Sequence, residues 1–295
     1  MTNLYETVTR FAKANDCITG ICDASPLEAA NLLKSDFTPF VQADINKRTN
    51  PAAILPGAQT VIAVGARPAA CQSQCHSPGN TGEGATAQLS SLGVNKDYHP
   101  RVKALLKALA ADLSQYASFN YKILVDSPTL DERAFAHRAG LGFYGRNGLI
   151  ISPVFGSRFN IGLLLLDIPI VTPAETAPLS PRCPPTCRLC IDACPGGALR
   201  PGLPMDTKKC VSYLTQKRDW AGEEAALHGQ LYGCDICQDV CPFNAPAQNK
   251  TYVNPWEWLE MDDEQFAQKY GHTAMLWQGS ALLRRNAQAA IDRPQ

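Results

Sequence analysis

Apolar residues recur at helical spacing near both ends of the chain and at its middle, with strand-like runs between them. Leu4, Val8, Phe11 and Ala12 give an opening helix one apolar face. Val102, Leu105, Leu106, Leu109 and Leu113 draw a continuous stripe along a second helix. Val61-Ile62-Ala63-Val64, preceded by the turn Leu55-Pro56-Gly57, reads as a buried strand. Tyr121 to Val125 reads as another, stopped by Asp126-Ser127-Pro128. A helix is expected next, with Ser127 or Thr129 as N-cap and Glu132 placed for a capping box. Gly140, Gly142, Gly145 and Gly148 break the chain before two further strands, Leu149 to Ser152 and Ile161 to Leu166. Strands alternating with helices predict an α/β (α+β) domain over residues 1–172.

The pattern then changes. Ala69 to Gly93, rich in Gly, Ser, Gln and Thr, reads as a long functional or mobile loop. Prolines and alanines from Val171 to Pro185 give a linker composition. A cysteine-rich module occupies residues 173–250. A helical tail, residues 251–295, carries Trp256, Trp258 and Trp277 and a helix from Ser280 to Ile291. It is too short for a separate domain and is expected to pack on the rest. The longest apolar stretch, Ile161 to Ile170, is interrupted by Asp167 and is too short to span a bilayer.

Composition narrows the class. The chain has 295 residues, 45% hydrophobic, with Lys plus Arg and Asp plus Glu equal at 27. No overall basic field draws in DNA or any other nucleic acid, and the pairs Lys208-Lys209 and Arg284-Arg285 read as solvated surface. Twelve cysteines with no export signal at the N-terminus point to a reducing cytoplasm rather than a disulfide scaffold.

Eight of those cysteines carry the chemistry. The first run is Cys183-x3-Cys187-x2-Cys190-x3-Cys194-Pro195, and the second is Cys210, then Cys234-x2-Cys237-x3-Cys241-Pro242. Eight thiolates are the ligand count of two [4Fe–4S] clusters, and C-x2-C-x3-C-P is a ferredoxin ligand run. In that arrangement the cysteine before proline serves the other cluster. Cys183, Cys187, Cys190 and Cys241 would hold one cluster, and Cys194, Cys210, Cys234 and Cys237 the other. Structural zinc also uses C-x2-C pairs, but it has no use for the prolines or for the alternating gaps. The first gap, Pro184-Pro185-Thr186, is one residue longer than usual, which makes Cys183 the least secure ligand.

Four cysteines remain. Cys71-x3-Cys75-His76 offers three soft donors without an obvious fourth, so a third metal site is not expected. Cys17 and Cys22 read as small buried hydrophobes. His137, His228 and His272 are isolated. Gly140-Leu141-Gly142-Phe143-Tyr144-Gly145 matches a dinucleotide fingerprint formally, yet it follows a helix rather than a strand, so nicotinamide binding is discounted.

Several segments together resemble the epoxyqueuosine reductase family. They are Leu55-Pro56-Gly57, Asp97-Tyr98-His99, Val125-Asp126-Ser127 with Glu132-Arg133, Ala139-Gly140-Leu141-Gly142-Phe143-x-Gly145, and Leu166-Asp167-Ile168-Pro169. The cluster module adds Cys210-Val211-Ser212-Tyr213-Leu214-Thr215 and Tyr232-Gly233-Cys234-Asp235-x-Cys237-Gln238, which plain ferredoxins lack. The resemblance implies an N-terminal domain holding base-off cobalamin, followed by a bacterial ferredoxin-like double [4Fe–4S] domain. It implies reductive removal of the epoxide oxygen of epoxyqueuosine in tRNA, fed by an external low-potential electron donor.

Loss of that oxygen as water takes two electrons and two protons, so a positioned acid is needed. Read alone, Asp126 stands where a helix cap would; the resemblance makes it the proton donor, just past a strand end where open α/β sheets bind ligands. Asp97, Tyr98, His99, Arg133, Gly140, Gly142, Gly145, Arg146 and Asn147 would line the cobalamin and substrate pocket, the glycines allowing close backbone approach to the corrin tail. Val102 stands where a D-x-H-x-x-G corrinoid motif needs glycine, so His99 is not expected to ligate cobalt. Two departures bear on substrate. Arg146 replaces the family's usual lysine, and the sequence ends soon after Arg284-Arg285-Asn286, without the helical-repeat domain that helps many members grip tRNA. Alternatives are therefore a small-molecule substrate and a non-catalytic electron-transfer or corrinoid-handling role.

Overall fold

In the computed structural model the described residues are 4–28, 44–69, 86–172, 178–202, 205–219, 224–244 and 250–292. Cys71, Cys75 and His76 lie outside them. The strands are β1 (Cys17–Asp23), β2 (Thr60–Ala66), β3 (Ala87–Leu89), β4 (Tyr121–Leu124), β5 (Phe143–Tyr144), β6 (Ile150–Ile151), β7 (Asn160–Leu166), β8 (Gln230–Tyr232) and β9 (Thr251–Val253). The helices are α1 (Leu4–Ala14), α2 (Ile45–Thr49), α3 (Ser91–Val94), α4 (Tyr98–Ser114), α5 (Glu132–Arg138), α6 (Leu189–Asp192), α7 (Val211–Leu214), α8 (Ile236–Asp239), α9 (Pro255–Glu260), α10 (Asp263–Tyr270) and α11 (Ser280–Ile291). No helix among the described residues is long and apolar enough to cross a membrane.

Two compact units divide the chain: Met1–Arg67 with His99–Cys187, and Pro68–Tyr98 with Arg188–Gln295. This differs from the linear scheme of 1–172, 173–250 and 251–295. The cause is β3, which pairs in parallel with β8 and antiparallel with β9. That pairing draws the segment before α4 into the second unit.

The first unit is built on a four-stranded sheet in the order β1-β2-β7-β4. Every residue of β2 is buried, as are the last five of β7, which is why both read as continuous apolar runs. Alternation along these strands decides what each face meets. Val61, Ala63, Leu163 and Leu165 pack with Phe135 and Ala136 of α5. On the opposite face Gly162 leaves room for Val102 and Leu106, the stripe of α4. All three strand pairs are antiparallel, so this is the α+β form of the expected architecture. The strand-end rule for ligands of parallel sheets therefore does not apply to it. β1, whose Thr19 and Gly20 interrupt its apolar run, was not foreseen. Its Cys17 and Cys22 are buried as expected, and burial pushes their thiols up to about 11 and about 12.

The second unit centres on Trp258, Phe266, Tyr270, Met275 and Leu283, packed with Leu89 and Leu231. Trp258 meets Phe266 edge-on at 5.6 Å. The C-terminal segment thus shares one core with the cysteine module, and α11 spans the residues its periodicity predicts. Its buried Asn286 donates to the carbonyls of Thr215, at 2.8 Å, and Leu231, at 2.7 Å. Arg284 is engaged by Asp263 and Arg285 by the Lys217 and Arg218 carbonyls, so this pair is fixed to the fold rather than merely solvated.

Candidate active site and cluster module

Asp126 lies two residues beyond β4, on a turn. Its φ is +51°, a left-handed conformation that aspartate tolerates better than most residues. Its side chain is 68% exposed, and its Oδ2 stands 3.5 Å from Nε2 of His99, on the first turn of α4. That separation lies within ion-pair range and is longer than an ordinary hydrogen bond. Asp126 does not cap the following helix. The N-cap of α5 is Asp131, whose carboxylate accepts from the Ala134 N–H. This corrects the expectation of Ser127 or Thr129. Their hydroxyls pair with each other at 2.7 Å, and the Ser127 oxygen accepts from the Thr129 N–H.

Glu132, expected in a capping box, reaches backwards instead. Its Oε2 accepts from the Asp126 N–H at 3.1 Å and its Oε1 from the Ser127 N–H at 2.8 Å. Burial pushes its carboxyl up to about 8, against those two hydrogen bonds, and the charges of Asp126 and Asp131 push it the same way. Beside it, Asp131 forms a buried ion pair with Arg48 at 2.5 Å, side chains 6% and 8% exposed. Glu132, Arg48 and Asp131 as supports were missed. The available signal was the triplet Asp131-Glu132-Arg133, too many acids for one cap.

The glycine-rich turn is explained by the fold itself. Gly140, at φ +78°, follows the α5 C-cap Ala139. Its N–H bonds to the His137 carbonyl and that of Leu141 to Ala136, which is a Schellman motif. A Cβ on Gly142 would lie 2.5 Å from the Ile151 carbonyl oxygen. Gly145 packs on Ile151 and Asn147. These positions need no corrin tail to account for them. Arg133 donates to the Gly148 carbonyl at 3.2 Å and Arg146 to the Pro185 carbonyl at 2.8 Å.

Asn147 behaves differently. It is 3% exposed, and its Oδ1 accepts from the Leu149 N–H, but its Nδ2 has no hydrogen-bond partner among the described residues. A buried amide donor left over in this way needs a partner from outside the described residues, either water or a ligand group. Asp97 and Tyr98 fall in the second compact unit, where the Asp97 N–H donates to the His272 carbonyl at 2.8 Å. The structure brings together His99, Asp126, Ser127 and Glu132.

In the second unit, four-residue helices carry Cys190 (α6) and Cys237 (α8), with Ile191, Leu199, Met205 and Val240 around them. Burial pushes the Cys237 thiol up, and Cys234, Cys210, Cys190 and Cys194 push it further. Burial raises Cys234 to about 11, with Cys210 and Cys194 adding to it, and raises Cys210 with Cys194 adding. Backbone N–H groups of Ser212 and Tyr213 point at Cys210, and that of Ile236 at Cys234. Cys210, Cys234 and Cys237 are thus desolvated neighbours, with Cys194 beside them, and their ionisation needs a compensating positive centre. This donor set fits an iron–sulfur cluster, with amide donors already aimed at sulfur. Cys183 and Cys187 lie at the end of the first unit, where the Cys187 N–H bonds the Pro184 carbonyl at 2.9 Å.

Residues 182–244 match the family model described as a 4Fe-4S double cluster binding domain. Residues 48–127 match the model described as Epoxyqueuosine reductase QueG, DUF1730. An epoxyqueuosine reductase of Bacillus cereus is 35% identical over 269 residues, covering 85% of this chain and 68% of its own. One of Synechocystis is 33% identical over 287 residues, covering 90% of this chain and 96% of its own. Among solved structures, an epoxyqueuosine reductase with an epoxyqueuosine-modified tRNA-Tyr stem loop superposes with TM-score 0.82 at 26% identity, over 98% of this chain and 81% of that one. The Bacillus subtilis enzyme, solved with its aspartate catalytic loop swung out of the active site, superposes with TM-score 0.82 at 26% identity, over 98% of this chain and 82% of that one.

Proposed function

This chain belongs to the epoxyqueuosine reductase family, and we propose that it removes the epoxide oxygen of epoxyqueuosine in tRNA, with Asp126 as the proton donor. It is an oxidoreductase carrying a 4Fe-4S double cluster binding domain. The single observation that carries the catalytic assignment is the exposed Asp126 carboxyl, paired with His99 on a turn held from beneath. The loop described as catalytic in the Bacillus subtilis relative also bears an aspartate, which supports the same role.

Reduction of the epoxide to an alkene releases water and takes two electrons and two protons. Cobalamin, when bound, supplies a low-potential metal centre able to break the carbon–oxygen bond. Asn147, with its spare buried donor, is the residue of this chain best suited to hold part of that group. Cys194, Cys210, Cys234 and Cys237 would hold one cluster, and Cys183, Cys187, Cys190 and Cys241 the other; such clusters would supply low-potential electrons taken from an external donor. Asp126 gives its proton to the departing oxygen. His99 and solvent restore it, since the carboxyl is exposed on one side and paired on the other. A cytoplasmic setting, where thiols stay reduced and tRNA is modified, suits both the clusters and the substrate.

The length of the chain is no argument for a small-molecule substrate, because the Synechocystis enzyme is spanned almost completely. The test is anaerobic reconstitution with iron, sulfide and cobalamin, followed by assay on an epoxyqueuosine-containing anticodon stem-loop. Conversion to queuosine, with binding that weakens steeply as salt is added, is the expected result. Retention of both cofactors with no binding of the stem-loop at low salt would transfer the activity to another substrate.

A further inference from the structure

We propose that Glu132 is a positioning residue that clamps the Asp126 turn through the backbone amides of Asp126 and Ser127. The inference rests on the reading of Asp126 as the proton donor. Both carboxylate oxygens are committed to it, one to each of two successive N–H groups. Two amides of one turn converge on a single carboxylate only where the chain is bent, and Asp126 is bent into the left-handed region. Aspartate adopts that conformation at a cost, so neighbouring contacts must hold it there.

The clamp itself is anchored. Glu132 is the first residue of α5, whose Phe135 and Ala136 are fully buried in the core. Asp131 fixes the start of that helix by capping it and by pairing with Arg48. The Schellman motif at Ala139-Gly140 fixes its end. Glu132 therefore transmits the rigidity of a packed helix to a turn that lies outside helix and strand and projects its carboxyl into solvent. A hydrogen bond to each amide orients the peptide planes on either side of the Asp126 Cα, and with them the direction of the side chain toward His99.

The experiment is residue-resolved amide hydrogen exchange on the reconstituted protein, together with steady-state kinetics, for wild type, Glu132→Gln, Glu132→Ala and Asp126→Asn. Glutamine keeps one acceptor oxygen, so at least one of the two turn amides loses its partner. Exchange there should quicken by about tenfold in Glu132→Gln and at both amides in Glu132→Ala, while amides inside α5 keep wild-type protection. kcat should fall by about tenfold with KM unchanged, since substrate binding is not the step affected. Wild-type exchange at both amides in Glu132→Gln overturns the clamp even if Glu132→Ala fails to fold. Faster exchange with unchanged kcat overturns its positioning role. Asp126→Asn should keep the wild-type exchange pattern and lose turnover. If it turns over normally, the proton-donor reading fails, while the exchange data still decide whether the clamp exists.

Discussion

The four thiols around Cys237 and the turn at Asp126 solve opposite problems of charge. At Cys210, Cys234 and Cys237, beside Cys194, the sulfur atoms are themselves desolvated, and neighbouring thiolates oppose their ionisation. Their compensation comes from iron, outside the chain. At Asp126 the carboxyl stays in water, and the buried charge lies in the supporting Arg48–Asp131 pair, beside a Glu132 carboxyl that desolvation holds toward its neutral form. Their compensation comes from the chain itself: two backbone amides and one guanidinium. The thiols and the exposed carboxyl thus place charge compensation in different hands.

That contrast breaks most visibly at the thiols. Cys237→Ser should lower iron from roughly eight to about four per chain and abolish turnover, because a [4Fe–4S] cluster needs its fourth thiolate. Iron analysis and the electron paramagnetic resonance signal of the reduced protein check this. Wild-type iron in the variant would remove Cys237 from the ligand set. Next in size, Arg48→Met leaves Asp131 buried and unpaired, and should lower stability by about 3–5 kcal/mol in urea denaturation. The cluster assigned to Cys194, Cys210, Cys234 and Cys237 should survive that change under native conditions, since those four residues belong to the other unit.

Acidity separates the regions further. The Glu132 carboxyl is raised from an ordinary 4.5 to about 8 in the folded chain, so folding retains a proton there that the unfolded chain releases. Its stabilising contribution is complete below pH 4.5 and is lost as pH rises through about 8. Thermal midpoints should fall across that window, and Glu132→Gln should flatten part of the slope. A slope identical to wild type would mean that Glu132 does not titrate in this range. The smallest expected effect is at Asn147. Asn147→Asp preserves the acceptor used by Leu149 but removes the spare donor, and should weaken cobalamin retention by about tenfold in an absorbance titration. Unchanged affinity would confine Asn147 to the turn.

The two regions were not equally legible in the sequence. Cluster ligation is written in local spacing, so Cys183 to Cys241 could be grouped before any geometry was known. Helices with unbroken stripes, such as α4 and α11, were equally plain. The support of Asp126 depends on residues distant in sequence or reversed in direction. Arg48 meets Asp131 across 83 positions, which no periodicity encodes. Glu132 sits at a spacing that fits a capping box, yet Asp131 takes the cap and frees Glu132 to bond backwards. Antiparallel pairing was hidden for a similar reason: central strands are apolar throughout whichever way their neighbours run. Gly142 invited a ligand reading because close approach looks the same in sequence whether a cofactor or the Ile151 carbonyl comes close.

Single-turnover conversion of an epoxyqueuosine-containing tRNA stem-loop by fully loaded wild type and Asp126→Asn bears most directly on the whole account. Queuosine should form with wild type and fall by about a hundredfold or more with the variant, both proteins holding equal iron and cobalamin. Equal rates in the two, or no queuosine from loaded wild type, would contradict it.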